Sequence, residues 1–189
     1  MKWSIALVLC LSSSPSLGNT LEVAFPAIER MIVEGLLTEG GRRYLQGGPE
    51  DTCTYAFIQE PRVSSSEERL ELRFLFAGSV GASVGGRCAG RGGNFDIVVS
   101  GMPAYDGSDL FLDDVRFHSD NALFELFSVL IESQLRPLLR VPLRTTLETH
   151  LSQLTTAGRV MVDEVTVSEI RLGSGVATLD VDLKVGVRP

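Results

Sequence analysis

The most regular pattern in the chain lies near its C-terminal end, where Ala177, Leu179, Val181, Leu183, Val185 and Val187 alternate with Thr178, Asp180, Asp182 and Lys184. A period of two with one apolar and one polar face predicts a half-buried antiparallel strand. Gly173-Ser174-Gly175 supplies the turn from a preceding strand, Val160 to Leu172. The same period recurs at 70–77, where Leu70, Leu72, Phe74 and Phe76 oppose Glu71 and Arg73, and at 95–101 through Phe95, Ile97 and Val99. Residues 53–59 and 110–117 complete an antiparallel meander, with a polar loop expected at 61–68 and breaks at Met102-Pro103 and Asp106-Gly107. Helical spacing appears twice. Phe25-Pro26 opens a short helix with Ile28, Met31 or Ile32, and Leu36 on one side, proline suiting the first helical turn. The second run, 123–154, is longer: Leu123, Phe124, Phe127, Leu130, Ile131, Leu135 and Leu138 continue into Leu143, Leu147, Leu151 and Leu154 behind a cap at Asp120 or Asn121. Pro137 and Pro142 each remove a backbone donor, so this run is kinked or split.

The first eighteen residues follow a different pattern. Lys2, an apolar run from Ile5 to Leu11, and small residues at Ser16 and Gly18 have the order of a secretory signal peptide cut before Asn19. The expected organisation is therefore a signal peptide over 1–18 and a single domain over 19–189, exported to the periplasm or secreted. Loss of Lys2 takes the formal charge from −7 to −8. An acidic balance argues against nucleic acid as the partner. Cys10 leaves with the leader, and the even pair left, Cys53 and Cys88, reads as a disulfide in an oxidising compartment, the alternative being two buried thiols. Closing a loop of about 35 residues would stabilise the fold by about 3–4 kcal/mol on the chain-entropy model.

Catalytic and metal chemistry finds little support. Gly81-Ala82-Ser83-Val84-Gly85 matches the G-x-S-x-G nucleophile elbow, with His118 and His150 downstream, but a glycine-rich stretch follows where a helix is required. The glycines at 78, 81, 85, 86, 90, 92 and 93 suit a hairpin better than a phosphate cradle, since no Gly-Lys-Ser/Thr follows. Asp113, Asp114, His118 and Asp120 are grouped, but alternation sends the two adjacent aspartates to opposite faces, as on a solvated strand. No enzyme, cofactor or metal is expected.

Residues 99–131, VSGMPAYDGSDLFLDDVRFHSDNALFELFSVLI, with Gly101, Pro103 and Asp106 in a strand-turn-strand-helix order, resemble the corresponding segment of YceB-like bacterial periplasmic proteins. The order of elements is similar to that of the wider TULIP (tubular lipid-binding) superfamily, which includes the BPI-like domains. The resemblance implies an α+β half-barrel: a highly curved antiparallel sheet wrapped around a long helix in the C-terminal half, with a shorter N-terminal helix. YceB-like proteins are typically lipoproteins; here Leu9 stands before Cys10 where a small residue is needed. Apolar helix and strand stripes need partners, and a sheet wrapped on a helix leaves a seam that an acyl chain can fill. The expected cavity lining is Phe124, Phe127, Ile131 and Leu135 from the helix with Phe74, Phe76, Leu179 and Leu183 from the strands. The implied partner is a lipid or fatty acyl ligand, with room for transient membrane contact and a homodimer. The alternative is an exported interaction or envelope-assembly protein with a solid core and no ligand.

Overall fold

The computed structural model describes residues 19–49, 51, 53–85, 87–154 and 159–188; the leader 1–18 lies outside them. The chain is α+β and mostly antiparallel sheet, part of it strongly curled into a half-barrel. In order come β1 (Asn19–Ala24), α1 (Phe25–Gly35), β2 (Arg42–Gln46), β3 (Tyr55–Ser66), β4 (Arg69–Val84), β5 (Arg87–Tyr105), β6 (Asp109–His118), α2 (Phe124–Leu135), a 3-10 turn (Arg136–Leu138), β7 (Arg140–Pro142), α3 (Leu143–Leu154), β8 (Arg159–Leu172) and β9 (Val176–Arg188). Strands β2-β3-β4-β5-β6-β7 form the larger sheet and β1-β9-β8 the smaller.

The long helical run is divided. α2 stops at Leu135, Pro137 sits in the 3-10 turn, and Arg140–Pro142 pairs with β6 as a short strand before α3 begins. Two prolines five positions apart deny the helix its internal donors, and the free edge of β6 accepts the extended segment instead. Among the described residues no long helix is therefore enclosed by the sheet; two 12-residue helices take its place. At the helix start Asn121, rather than Asp120, accepts the Leu123 N–H at 2.8 Å.

The meander runs further than its sequence pattern suggests. β3 continues through Pro61 because one extra residue at Glu60, at φ 53°, bulges the strand and returns Pro61 and Val63 to the buried face. β5 likewise passes through Met102 and Pro103, opposite a second bulge at Asp114. The glycine-rich stretch is an unbroken hairpin, paired from Leu70 with Gly101 out to Val84 with Arg87. Its outer part forms a two-stranded arm beyond the last β3 partner at Ser79, and is cross-linked by Cys53–Cys88 with Cα atoms 5.2 Å apart. Gly81 faces Gly90, where a Cβ on Gly90 would lie 2.3 Å from the Val80 carbonyl oxygen. Only glycine permits this approach.

Hydrogen bonds join the two sheets. Tyr105 on β5 donates to the Val165 carbonyl of β8 at 2.8 Å, and Ser65 on β3 donates to the Gly173 carbonyl at 3.1 Å. The Phe25 N–H donates to the Gly175 carbonyl at 2.9 Å, which seats α1 on the β8–β9 turn.

Candidate functional site: an apolar cleft between the sheets

The inner face of β4 carries Leu70, Leu72, Phe74 and Phe76. At the phenylalanine end it is sealed by α2. The Phe76 ring lies 4.8 Å from Phe95 and 4.9 Å from Phe127, centroid to centroid, and Ile131 and Leu135 are fully buried beside them. Gly78 makes the fit possible, since a Cβ there would stand 2.7 Å from the Phe76 ring and 3.2 Å from that of Phe127.

At the leucine end the two surfaces stand apart. A cleft of about 230 Å³ opens there, and every described residue bordering it is apolar. The larger sheet contributes Leu70 and Leu72 from β4, Pro103 from β5, and Leu110, Phe111 and Leu112 from β6. The smaller sheet contributes Val23, Ile170, Leu172, Ala177 and Leu179. α1 supplies Ile28, Met31 and Ile32, and the strap after α2 supplies Leu138, Leu139 and Val141. Met31, Leu138 and Val141 are 42%, 37% and 48% exposed, so the rim is greasy as well as the walls. A monomer gains nothing by showing such groups to water, and an apolar hollow with an apolar rim is the usual form of a site for a hydrophobic ligand.

Of the eight residues expected to line a cavity, Leu179 alone borders this cleft. Phe74, Phe76, Phe124, Phe127, Ile131 and Leu135 are buried in the hydrophobic core, and Leu183 is half-buried against it. The periodicity identifies apolar faces correctly, but the fullest aromatic part of a face is the part a facing helix fills most completely. The cleft residues missed by that reasoning carry a signal of their own: Leu138, Leu139 and Val141 lie between Pro137 and Pro142, where a chain too broken for helix still keeps apolar residues.

Charged groups hold the strap in place. The Asp106 carboxylate accepts the backbone N–H groups of Ser108 and Asp109 at 3.1 and 2.9 Å, and pairs with Arg140 at 2.9 Å. The Asp109 N–H, then that of Ser108, holds this carboxyl down to about 2. Arg140 also reaches Asp109 at 3.3 Å and lies over the Phe111 ring at 4.7 Å.

The enzyme-like residues are scattered or occupied. Ser83 sits inside β4, paired with Cys88 and followed by the hairpin turn, so the strand-to-helix elbow is missing. His118 lies at the end of β6, 3.1 Å from Asp120; the side chain of His150 lies outside the described residues. Asp114 is committed to Arg69 at 2.8 Å and Arg116 at 2.7 Å, and Arg69, then Arg116, holds its carboxyl below the ordinary range. Among the described residues no helix is long and apolar enough to cross a membrane. Comparison of the chain with family models, with curated proteins and with solved structures finds no match.

Proposed function

We propose that this is an exported protein that binds the aliphatic part of a lipid or fatty acyl ligand in the cleft between its two sheets. The observation that carries the reading is the uniform chemistry of that cleft: seventeen bordering residues among those described, none of them polar, with an exposed apolar rim. The disulfide and the absence of a membrane-spanning helix among the described residues accord with export. A strongly curled antiparallel sheet facing helices is also in keeping with the resemblance to tubular lipid-binding domains. The cleft is smaller than the roughly 300–1,000 Å³ that holds a drug-sized ligand, so it takes one stretch of chain with the head group outside.

A chain-length series tests this. Each buried methylene is worth about 0.8 kcal/mol, or about fourfold in affinity. Fatty acids of increasing length should displace a fluorescent fatty acid with about that increment per carbon, levelling off once the cleft is full. Leu139→Trp should weaken every member of the series, whereas Ile131→Trp, in solid core, should instead cost about 1–3 kcal/mol of stability. No displacement, or an affinity independent of length, would remove the assignment.

A further inference from the structure

The fold closes several of its strand edges with side chains. On β3 the Val63 N–H donates to Glu29 of α1 at 2.9 Å, and on β8 the Val162 N–H donates to Glu148 of α3 at 3.0 Å. On the β4 side of the glycine arm, Thr54 donates its hydroxyl to the Gly81 carbonyl at 2.8 Å. The outer edge of β5 differs. β6 pairs with β5 only as far as Val98 with His118 and then leaves for α2, so from Arg87 to Ile97 β5 has β4 on one side and, among the described residues, no strand on the other. Ser119 donates its hydroxyl to the Asp96 carbonyl at 2.6 Å, which shows that Asp96 turns its backbone groups outward. Alternation then turns those of Asn94, Gly92 and Gly90 the same way. The segment has no proline, bulge or acidic residue from Arg87 to Phe95. An open edge of this kind is a template for an added strand.

Charge selects the occupant. From Ala77 to Asn94 the hairpin carries Arg87 and Arg91 and no carboxylate, in a chain of net charge −7. Two copies of this edge would set arginine against arginine, which disfavours a second copy. The other end of the edge is acidic. Where β6 departs, a polar hollow of about 520 Å³ is bordered by Glu71, Asp96 and Asp120, with Arg73 3.4 Å from Asp96 and His118 beside Asp120. A strand continuing the line of β6 runs antiparallel to β5, so its beginning lies at the acidic hollow and its end beside the arginines.

We propose that the outer edge of β5 receives an extended segment of a partner protein as an added antiparallel strand, basic toward its N-terminal end and acidic toward its C-terminal end. This is independent of the cleft and of any ligand in it.

The probes are the peptide acetyl-Lys-Thr-Val-Thr-Val-Glu-Glu-amide and its reverse, acetyl-Glu-Glu-Val-Thr-Val-Thr-Lys-amide, added to the oxidised mature protein. The forward peptide should bind about tenfold more tightly than the reverse and slow amide exchange at Gly90, Gly92 and Asn94. Asn94→Pro removes one outward donor, which proline can forgo on an edge strand, and should weaken the forward peptide about tenfold. Arg87→Glu combined with Arg91→Glu touches no backbone bond and should abolish the preference for the forward peptide. The proposal is overturned by absence of binding at millimolar peptide, by equal binding of the two peptides, or by binding that leaves those three amides unprotected. Protection that appears on concentrating the protein alone would assign the edge to a second copy and equally overturn it.

Discussion

The two halves of the inner face of β4 start from the same alternating pattern and end differently. Phe76 packs against Phe127 of α2 so closely that residue 78 has to be glycine, and Phe74, Ile131 and Leu135 are buried in the same core. Leu70 and Leu72 face a second sheet and a strap, and space remains. The difference lies in the opposing surface. A helix presents its apolar side chains on one continuous stripe, which can be matched knob by hole to a pleated sheet. Past Leu135 the prolines end that stripe, and the chain passes over the leucine half as a 3-10 turn and three extended residues. Apolar walls built from three directions, with no element projecting between them, leave a cleft.

The sharpest way to break this comparison is to truncate one side chain in each half. Phe127→Ala should remove about 3–5 kcal/mol of stability, because the aromatic cluster cannot close around the void. Leu139→Ala, in a wall already beside empty space, should cost less than about 2 kcal/mol. Urea unfolding of both variants at neutral pH decides it, and equal losses would mean that the two halves are packed alike.

Much of this was legible in the sequence, for reasons that particular residues make plain. The strict alternation from Ala177 to Val187 and the Phe25-Pro26 opening of α1 are local signals, and each produced its element. Cys53 and Cys88 form the cross-link that their even count implied. Elements that depend on distant partners were not legible. β2, Arg42–Gln46, exists because β3 pairs with it, and β7 exists because β6 had an edge to offer. Pro61 and Pro103 read as breaks, yet both lie in strands next to bulges whose geometry the pattern does not encode. The cleft was the least legible part. Periodicity locates apolar faces, whereas a cleft is a mismatch between two of them, set by residues as far apart as Ile28, Leu112, Leu139 and Ile170.

A second test separates the halves through the bond that joins the sheets. Tyr105 reaches across to the Val165 carbonyl, and burial pushes its hydroxyl above its ordinary value, so the phenol stays neutral and donates. Tyr105→Phe should cost about 0.5–1.5 kcal/mol and leave the carbonyl without its partner. Amide exchange should quicken in β8 and in the strands bordering the cleft, while α2 keeps its protection. A uniform change across both halves would show that the sheets and the aromatic core open as one unit.

The smallest expected effect concerns the latch on the strap. Asp106 lies at the surface, so screening keeps its contribution modest, but its carboxyl is held at about 2 by the Asp109 and Ser108 N–H groups and by Arg140. The sign follows from linkage. A folded-state value below the ordinary one of about 3.9 means that the ionised form favours the fold; this contribution is full above pH 4, declines as pH falls toward 2, and is absent below. Asp106→Asn keeps an oxygen for the two N–H donors and removes the charge that faces Arg140. The gap in Tm between the natural protein and this variant should therefore be open at pH 6 and close as the pH approaches 2. Asp114 also titrates below the ordinary range, but it is present in both proteins and cancels from the difference. Because Arg140 stands between Leu139 and Val141, the same variant should weaken the fluorescent fatty acid slightly at pH 6 while exchange in α2 stays unchanged. A gap that persisted at pH 2, or a loosening of α2 to match that of the strap, would show that the latch does not act on the leucine half alone.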